Sequence, residues 1–148
     1  MREKINFIRL AYALLFLFFI GKLIVGSLGG SYELGIRLFA LVPMTVHLCL
    51  IWGAMSNSFK GEKIGYAATC GLLIALFTQI LIFVGTLGSM ALGVETHFNN
   101  PIAIIGNESE VTMAGAFSAR LTGLLVNSII GAIAASIGWL FGKLVPLK

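Results

Sequence analysis

Few titratable or hydrogen-bonding side chains lie inside the long apolar segments of this chain, so each of them is a candidate for chemistry. Histidine changes charge near neutral pH, and His47 is the only histidine inside such a segment. Two uses are open for it: a proton relay, or a hydrogen bond to a neighbouring helix, which we favour. The chain has no aspartate, and none of its glutamates falls in the middle of an apolar segment. We therefore expect that it carries no proton-exchanging acid of its own.

Hydroxyl and amide side chains form a second group of candidates. Gln79, Thr86 and Ser89 belong to one apolar segment, and Asn127 and Ser128 belong to another. Polar groups in a water-poor environment need hydrogen-bonding partners. We expect these five side chains either to satisfy one another or to face a pore or a partner helix.

Small residues recur at spacings of three, four or seven in the same two segments, which places them on one face of a helix. Membrane helices associate through such faces because small residues let two backbones approach closely. Packing within one subunit is the simpler interpretation, and packing between subunits is the alternative. The residues assigned to this packing are Gly85, Gly123, Gly131, Ala135 and Gly138.

Arg120 lies near one end of the last apolar segment, where an arginine should be paired or should reach the headgroups. Glu33, Glu95 and Glu110 are the acids available at that end, so we expect an ion pair. A lipid headgroup or partner contact is the alternative. The chain shows no phosphate-binding glycine loop, zinc-ligand pair or nucleophile triad, so we expect neither an enzyme nor a bound metal or cofactor.

The composition and the lengths of the apolar segments indicate which structural elements position these residues. Hydrophobic residues make up 58% of the 148 residues and charged residues 11%, whereas soluble domains carry about 25% charged residues. A bilayer core of about 30 Å requires roughly 20 apolar residues in a helix. Four segments meet this requirement, at about 7–25, 38–55, 64–94 and 111–142. We predict an all-α, integral membrane four-helix bundle that forms a single transmembrane domain over 1–148. Asn107 and Glu110 are spaced as a capping pair for the fourth helix.

The basic residues predict the orientation. They are scattered and form no basic stripe, so nucleic acid is not an expected partner. One set of loop and terminal positions holds most of them, and the opposite set is acidic, so the positive-inside rule places both termini in the cytoplasm. The basic set is Arg2, Lys4, Arg9, Lys60, Lys63, Lys143 and Lys148; the acidic set is Glu33, Glu95, Glu108 and Glu110.

The last two segments carry a short pattern of glycines and hydroxyls. The first part is Val84, Gly85, Thr86, Leu87, Gly88, and the second runs from Leu125 to Gly131 and continues with Ala132 to Ala135. Over about 80–136 this pattern resembles the last two helices of MotA/TolQ/ExbB-type proton channel subunits. Ser128 stands where that family usually has threonine, and the short connection around Lys60 and Lys63 replaces its large cytoplasmic region.

The resemblance implies a ring of identical subunits, commonly a pentamer, around a single-helix partner that supplies a proton-carrying aspartate. Thr86, Ser128 and Asn127 would then face the partner. The expected function is that of a proton channel subunit in the lipid of a bacterial inner membrane. The alternative is a non-catalytic scaffold or accessory subunit of a larger membrane complex, and a small-solute transporter is a more distant third.

Overall fold

The protein is entirely helical in the part that the structure, a computed structural model, describes, which is residues 2–144. The predicted all-α class is therefore confirmed. The six helices in chain order are α1 (Arg2–Ser27), α2 (Tyr32–Leu38), α3 (Leu41–Ser58), α4 (Ile64–Leu92), α5 (Pro101–Ile105) and α6 (Met113–Leu144).

Four helical stretches are long and apolar enough to cross a membrane: Arg2–Ser27, Tyr32–Ser58, Ile64–Leu92 and Met113–Leu144. The shortest has 26 residues, which corresponds to about 39 Å of helix against a bilayer core of about 30 Å. This length and composition are those of a membrane protein with four spans. The first helix begins at Arg2 rather than at about residue 7. Two further differences from the predicted boundaries have an identifiable structural reason.

The second span is divided into two helices, where the sequence predicted a single helix from about residue 38. Ser31 caps α2 by accepting a hydrogen bond from the backbone N–H of Leu34 at 3.2 Å. The backbone then leaves the helical region at Phe39 (φ −133°, ψ 57°) and Ala40 (φ −76°, ψ 84°). Pro43 lies in the first turn of α3, where its missing N–H would have had no helical partner. Because α2 and α3 are both apolar, the sequence does not indicate the break between them.

The start of α6 is also different, and the predicted capping pair is wrong. Asn107 accepts a hydrogen bond from the N–H of Ser109 at 2.9 Å and stays in the loop. The helix begins at Met113, where the hydroxyl of Thr112 accepts a hydrogen bond from the N–H of Gly115 at 3.1 Å. A side-chain oxygen that binds an N–H three residues later is the usual N-cap arrangement. The cap therefore lies five residues after Asn107.

The helices pack in layers with α3 and α4 in the centre. Helix α6 packs on one side of this pair and α1 on the other, and α1 makes no close contact with α6 in the described part of the chain. Four residues of α1 that recur every three or four positions are buried against the centre: Ile8, Ala11, Leu15 and Phe19. This periodicity is the one that a helix needs to present a single apolar stripe to its neighbours.

Hydrogen bonds at one end of the bundle connect the start of α1, the end of α6 and the segment between α3 and α4. Lys60 forms an ion pair with Glu3 at 2.9 Å. The indole N–H of Trp139 donates to the carbonyl of Glu62 at 2.7 Å. We call this the basic end. The connections between α1 and α2 and between α4 and α6 lie at the opposite end, which holds most of the remaining polar contacts.

Candidate functional site

The small residues of α6 contact the backbones of α3 and α4 within the same chain. Gly131 lies against Gly71 and the methyl group of Ala75. Gly138 lies against the carbonyl of Leu50, and Gly53 of α3 lies against the carbonyl of Ala135. A side chain at any of these glycines would meet backbone or core atoms directly. Of the predicted packing residues, Gly131, Ala135 and Gly138 are therefore used for packing within one subunit, whereas Gly123 meets no backbone of another helix.

Gly85 has a different environment at the opposite end. A methyl group placed on it would lie 2.9 Å from the ring of Phe19 and 3.0 Å from the ring of Phe98. Phe98 comes from the connection between α4 and α6 and is almost completely buried. Gly85 thus provides the space into which this loop aromatic inserts.

Arg120 holds the same loop through two hydrogen bonds and contacts α4 through a third. Its Nε donates to the hydroxyl of Thr86 at 2.9 Å, its Nη1 to the carbonyl of Ala103 at 2.9 Å, and its Nη2 to the carbonyl of Phe98 at 3.0 Å. Thr86 in turn donates to the carbonyl of Phe98 at 3.0 Å. Because the threonine is fully buried and its hydroxyl is used twice, it lies inside the subunit and presents no free group to a partner.

The predicted ion pair of Arg120 is wrong. Within residues 2–144 the ion pair between Lys60 and Glu3 is the only one. Glu33, Glu95 and Glu110 are all exposed, because water at the edge of the bundle solvates a carboxylate better than a partly buried site does. The guanidinium instead donates to neutral oxygens, which are the hydroxyl of Thr86 on α4 and two carbonyls of the connection between α4 and α6. The sequence did not predict where this connection lies.

Ser89 also belongs to the attachment of this loop. Its hydroxyl donates to the carbonyl of Gly85 at 2.7 Å and lies 2.8 Å from the hydroxyl of Thr96. Asn99 accepts a hydrogen bond from the N–H of Thr96 at 2.8 Å. Ser89 is buried and therefore serves to hold the loop on α4 in this chain.

His97 is a functional candidate that the sequence did not reveal. The side chain is only 4% exposed. Its Nε2 donates to the carbonyl of Gly30 at 2.8 Å, and its ring packs against Gly26 and Gly35, where a side chain would collide with it. The other ring nitrogen, Nδ1, is buried and has no partner among the described residues. Gly26 and Gly35 were the signal in the sequence that could have indicated this site, but only the fold shows that they surround the imidazole ring of His97.

Lys22 completes a cavity of about 180 Å³ at this end. Its ammonium nitrogen, Nζ, lies 5.6 Å from the centre of the Phe98 ring and 5.8 Å from that of Tyr32. Arg120 and His97 line the same cavity, and no carboxylate does. We call it the cationic cavity. It brings together two positive charges that are separated by 98 positions in the sequence.

A second polar site lies near the middle of the bundle, between α4 and α6. A methyl group placed on Gly123 would lie 3.6 Å from Oε1 of Gln79 and 3.7 Å from Nδ2 of Asn127. Neither amide makes a side-chain hydrogen bond within the described part of the chain. Gly123 and Asn127 are partly exposed, whereas Gln79 is buried. We call this gap, bounded by Gln79, Gly123 and Asn127, the mid-membrane notch.

Ser128 follows Asn127 on α6 and is buried, and its hydroxyl has no partner in the described residues. Other hydroxyls of the bundle do find partners, since those of Thr45 and Thr78 lie 2.8 Å apart. Unpaired polar groups inside a bilayer are costly. Among the described residues, the notch and Ser128 are therefore, with Nδ1 of His97, the polar groups of the interior that remain unpaired.

His47 lies on the exposed surface of α3. Its Nδ1 donates to the carbonyl of Pro43 at 2.7 Å, so the expected bond to a neighbouring helix is wrong and the partner is the preceding turn of its own helix.

Cys49 and Cys70 are buried free thiols. No group of three metal-ligating side chains gathers within residues 2–144.

Comparison with known proteins adds no relative. The likeness to MotA/TolQ/ExbB-type subunits remains a hypothesis that depends on about 80–136 alone. No family model, curated protein or solved structure matches this chain.

Proposed function

We propose that this protein is a non-enzymatic subunit of a larger membrane complex and that it docks a partner helix at the mid-membrane notch. The observation that carries the proposal is the pair of amides, Gln79 and Asn127, that border a glycine gap at mid-depth without hydrogen-bonding partners in the described residues. By contrast, Gly131 and Gly138 are already occupied by contacts between α6 and its neighbours. The notch is the polar surface left for another chain.

The partner that fits the notch is a transmembrane helix with a carboxylate near its centre. Asn127 presents its Nδ2 donors at the notch, and the Gln79 amide, whose Oε1 faces the notch, can turn to present its own. A carboxylate is an acceptor-only group that can take several such donors. This chain supplies no such acid, because its glutamates lie near helix ends or in loops. Positive residues gathered at the basic end support cytoplasmic termini. Residence in a bacterial inner membrane is what the resemblance to MotA/TolQ/ExbB-type subunits implies.

A defined probe tests the docking directly. A synthetic polyleucine helix with one central aspartate should bind the labelled protein in dilute liposomes three- to tenfold more tightly than the same helix with leucine there. That range corresponds to about 0.6–1.4 kcal/mol for a polar contact between membrane helices. Asn127→Leu and Gln79→Leu should each remove the preference, as measured by energy transfer between the labels.

Thr122→Val is the matched control for this experiment. Thr122 lies one residue before the notch on α6 and is exposed, and its hydroxyl is bonded to the carbonyl of Ser118 in its own helix. The preference for the aspartate helix should survive this change. Equal binding of the two synthetic helices to the unmodified protein would contradict the docking proposal.

Proton conduction is the second candidate function, and the unpartnered hydroxyl of Ser128 is the observation that favours it. Ser128 adjoins Asn127 in the sequence, and its hydroxyl could orient water for proton exchange with a carboxylate bound at the notch. Thr86, the other hydroxyl that the resemblance implicates, is already bonded to Arg120 and Phe98. A path through Thr86 would also meet a fixed positive charge, which repels protons.

Liposome measurements distinguish the two candidates. A channel subunit should leave liposomes nearly proton-tight alone and conduct only with the aspartate helix, and Ser128→Ala should reduce that flux about tenfold without weakening the binding of the helix. A docking subunit should bind the same helix and show no flux. A pH-sensitive dye inside the liposomes reports the difference. Strong flux from the protein alone would contradict both assignments.

A further inference from the structure

The cationic cavity contains positive charge that the protein itself does not neutralise. Lys22 and Arg120 both line it, and no carboxylate of the described residues lies within ion-pair distance of either group. A cation removed from water without a counter-charge is unfavourable. We propose that this cavity binds the phosphate group of an anionic phospholipid, which supplies the missing negative charge.

The two cations retain the donors that a phosphate needs. Arg120 uses three N–H groups on Thr86, Ala103 and Phe98, and a guanidinium has five. Lys22 makes no hydrogen bond in the described part of the chain and only rests its ammonium over two aromatic rings. Two guanidinium donors and an ammonium therefore remain free. Arginine and lysine together are the usual ligands of phosphate oxygens.

The other titratable groups of the cavity do not supply the charge. His97 donates from Nε2 to Gly30, so its neutral ring leaves Nδ1 as a bare acceptor, and a protonated ring would add a third positive charge. Tyr32 is neutral at physiological pH. Glu95 lies in an adjoining polar cavity, is exposed and forms no ion pair within residues 2–144. The counter-charge must come from outside the described chain.

The position and walls of the cavity indicate a lipid as the source of the phosphate. Lys22 lies five residues before the end of α1, and Arg120 seven residues after the start of α6. These offsets correspond to about 8 and 10 Å below the helix ends, which is the depth of the boundary between headgroups and acyl chains. Ile36 and Val42 line the cavity and are also exposed on the outer surface of the bundle. An acyl chain could follow this apolar wall while the phosphate meets the cations.

Binding is measured on the full chain, purified in a nonionic detergent, by native mass spectrometry and thermal unfolding. Phosphatidylglycerol should bind and raise the unfolding temperature, whereas zwitterionic phosphatidylcholine should bind at least tenfold more weakly. Lys22→Gln should reduce the affinity for phosphatidylglycerol about tenfold, and Lys22→Arg should retain most of it. Lys63→Gln, at the exposed basic end, is the matched control and should bind as the unmodified protein does.

Inorganic phosphate forms the second arm of the experiment and distinguishes a free anion from a lipid. Stabilisation by millimolar phosphate equal to that by phosphatidylglycerol would overturn the lipid assignment. Equal affinity for the two lipids, or undiminished affinity in Lys22→Gln, would overturn the site. If Lys22→Gln does not fold, Val42→Trp at the mouth of the cavity should exclude the lipid, and unchanged binding in that variant would equally contradict the proposal.

Discussion

Replacing Gly71 with leucine should destabilise the bundle by about 3 kcal/mol or more. A side chain at this position would collide with the carbonyl of Gly131 and the methyl group of Ala135 on α6. Overpacking a core usually costs about 1–3 kcal/mol, when side chains can adjust. In Gly71→Leu part of the obstacle is backbone, so α4 and α6 must separate. Denaturant unfolding in mixed micelles would measure the loss.

Gly65 is the matched control, since it lies six residues earlier on α4 and a side chain there would meet nothing within 4 Å. Gly65→Leu should leave the free energy of unfolding unchanged or raise it by up to about 1 kcal/mol, because leucine favours helix more than glycine does. The loss in Gly71→Leu should persist when the protein is diluted to monomers. A loss that disappears on dilution would instead place this glycine face between subunits.

Arg120→Gln should cost about 2–3 kcal/mol and should release the loop that α4 and α6 hold between them. The change removes three hydrogen bonds, and it leaves the buried hydroxyl of Thr86 and the carbonyls of Phe98 and Ala103 without the guanidinium. An orphaned buried group costs about 1–3 kcal/mol, and the removal of an unpaired cation offsets part of this sum. Backbone amides of α5 should exchange hydrogen faster, as followed by mass spectrometry.

Arg37→Gln is the control for this change, because Arg37 is exposed in the last turn of α2 at the same end of the bundle. It should alter stability by less than about 0.5 kcal/mol. Measurements in purely zwitterionic lipid separate the structural role of Arg120 from any binding of anionic lipid. Arg120→Lys should rescue little, since an ammonium cannot reproduce the planar fork that reaches three acceptors. Unchanged exchange in α5 for Arg120→Gln would refute the role assigned to this arginine.

The small residues show what can be predicted about helix packing from a sequence. The spacing of Gly131, Ala135 and Gly138 identifies a face built for close approach, because a helix places residues three or four apart on the same side. It does not identify the opposing surface. Gly131 lies against Gly71, and Gly138 lies against Leu50; both partners are distant in the chain. The choice between packing within and between subunits therefore depends on tertiary contacts.

The polar residues show more strongly the same difference between what the sequence predicts and what the tertiary contacts decide. The sequence established that Gln79, Thr86 and Arg120 need partners, because a bilayer offers none. Only the fold decided that Thr86 and Arg120 satisfy each other, across 34 positions of sequence, while Gln79 remains unpaired among the described residues. The resemblance had grouped Thr86 with Ser128 as residues facing a partner, and the fold places Thr86 in the attachment of the loop instead.

The sequence by itself determined that this protein is helical and that it has four stretches long and apolar enough to cross a bilayer, because the length and composition of an apolar segment depend only on neighbouring residues. It did not determine the break at Phe39, the cap at Thr112 or the burial of His97. These features depend on where the connection between α4 and α6 folds back onto the bundle. Only the tertiary structure decided that Lys22 and Arg120 share one cavity without an acid, because two charges far apart in sequence meet only when the helices carrying them are packed.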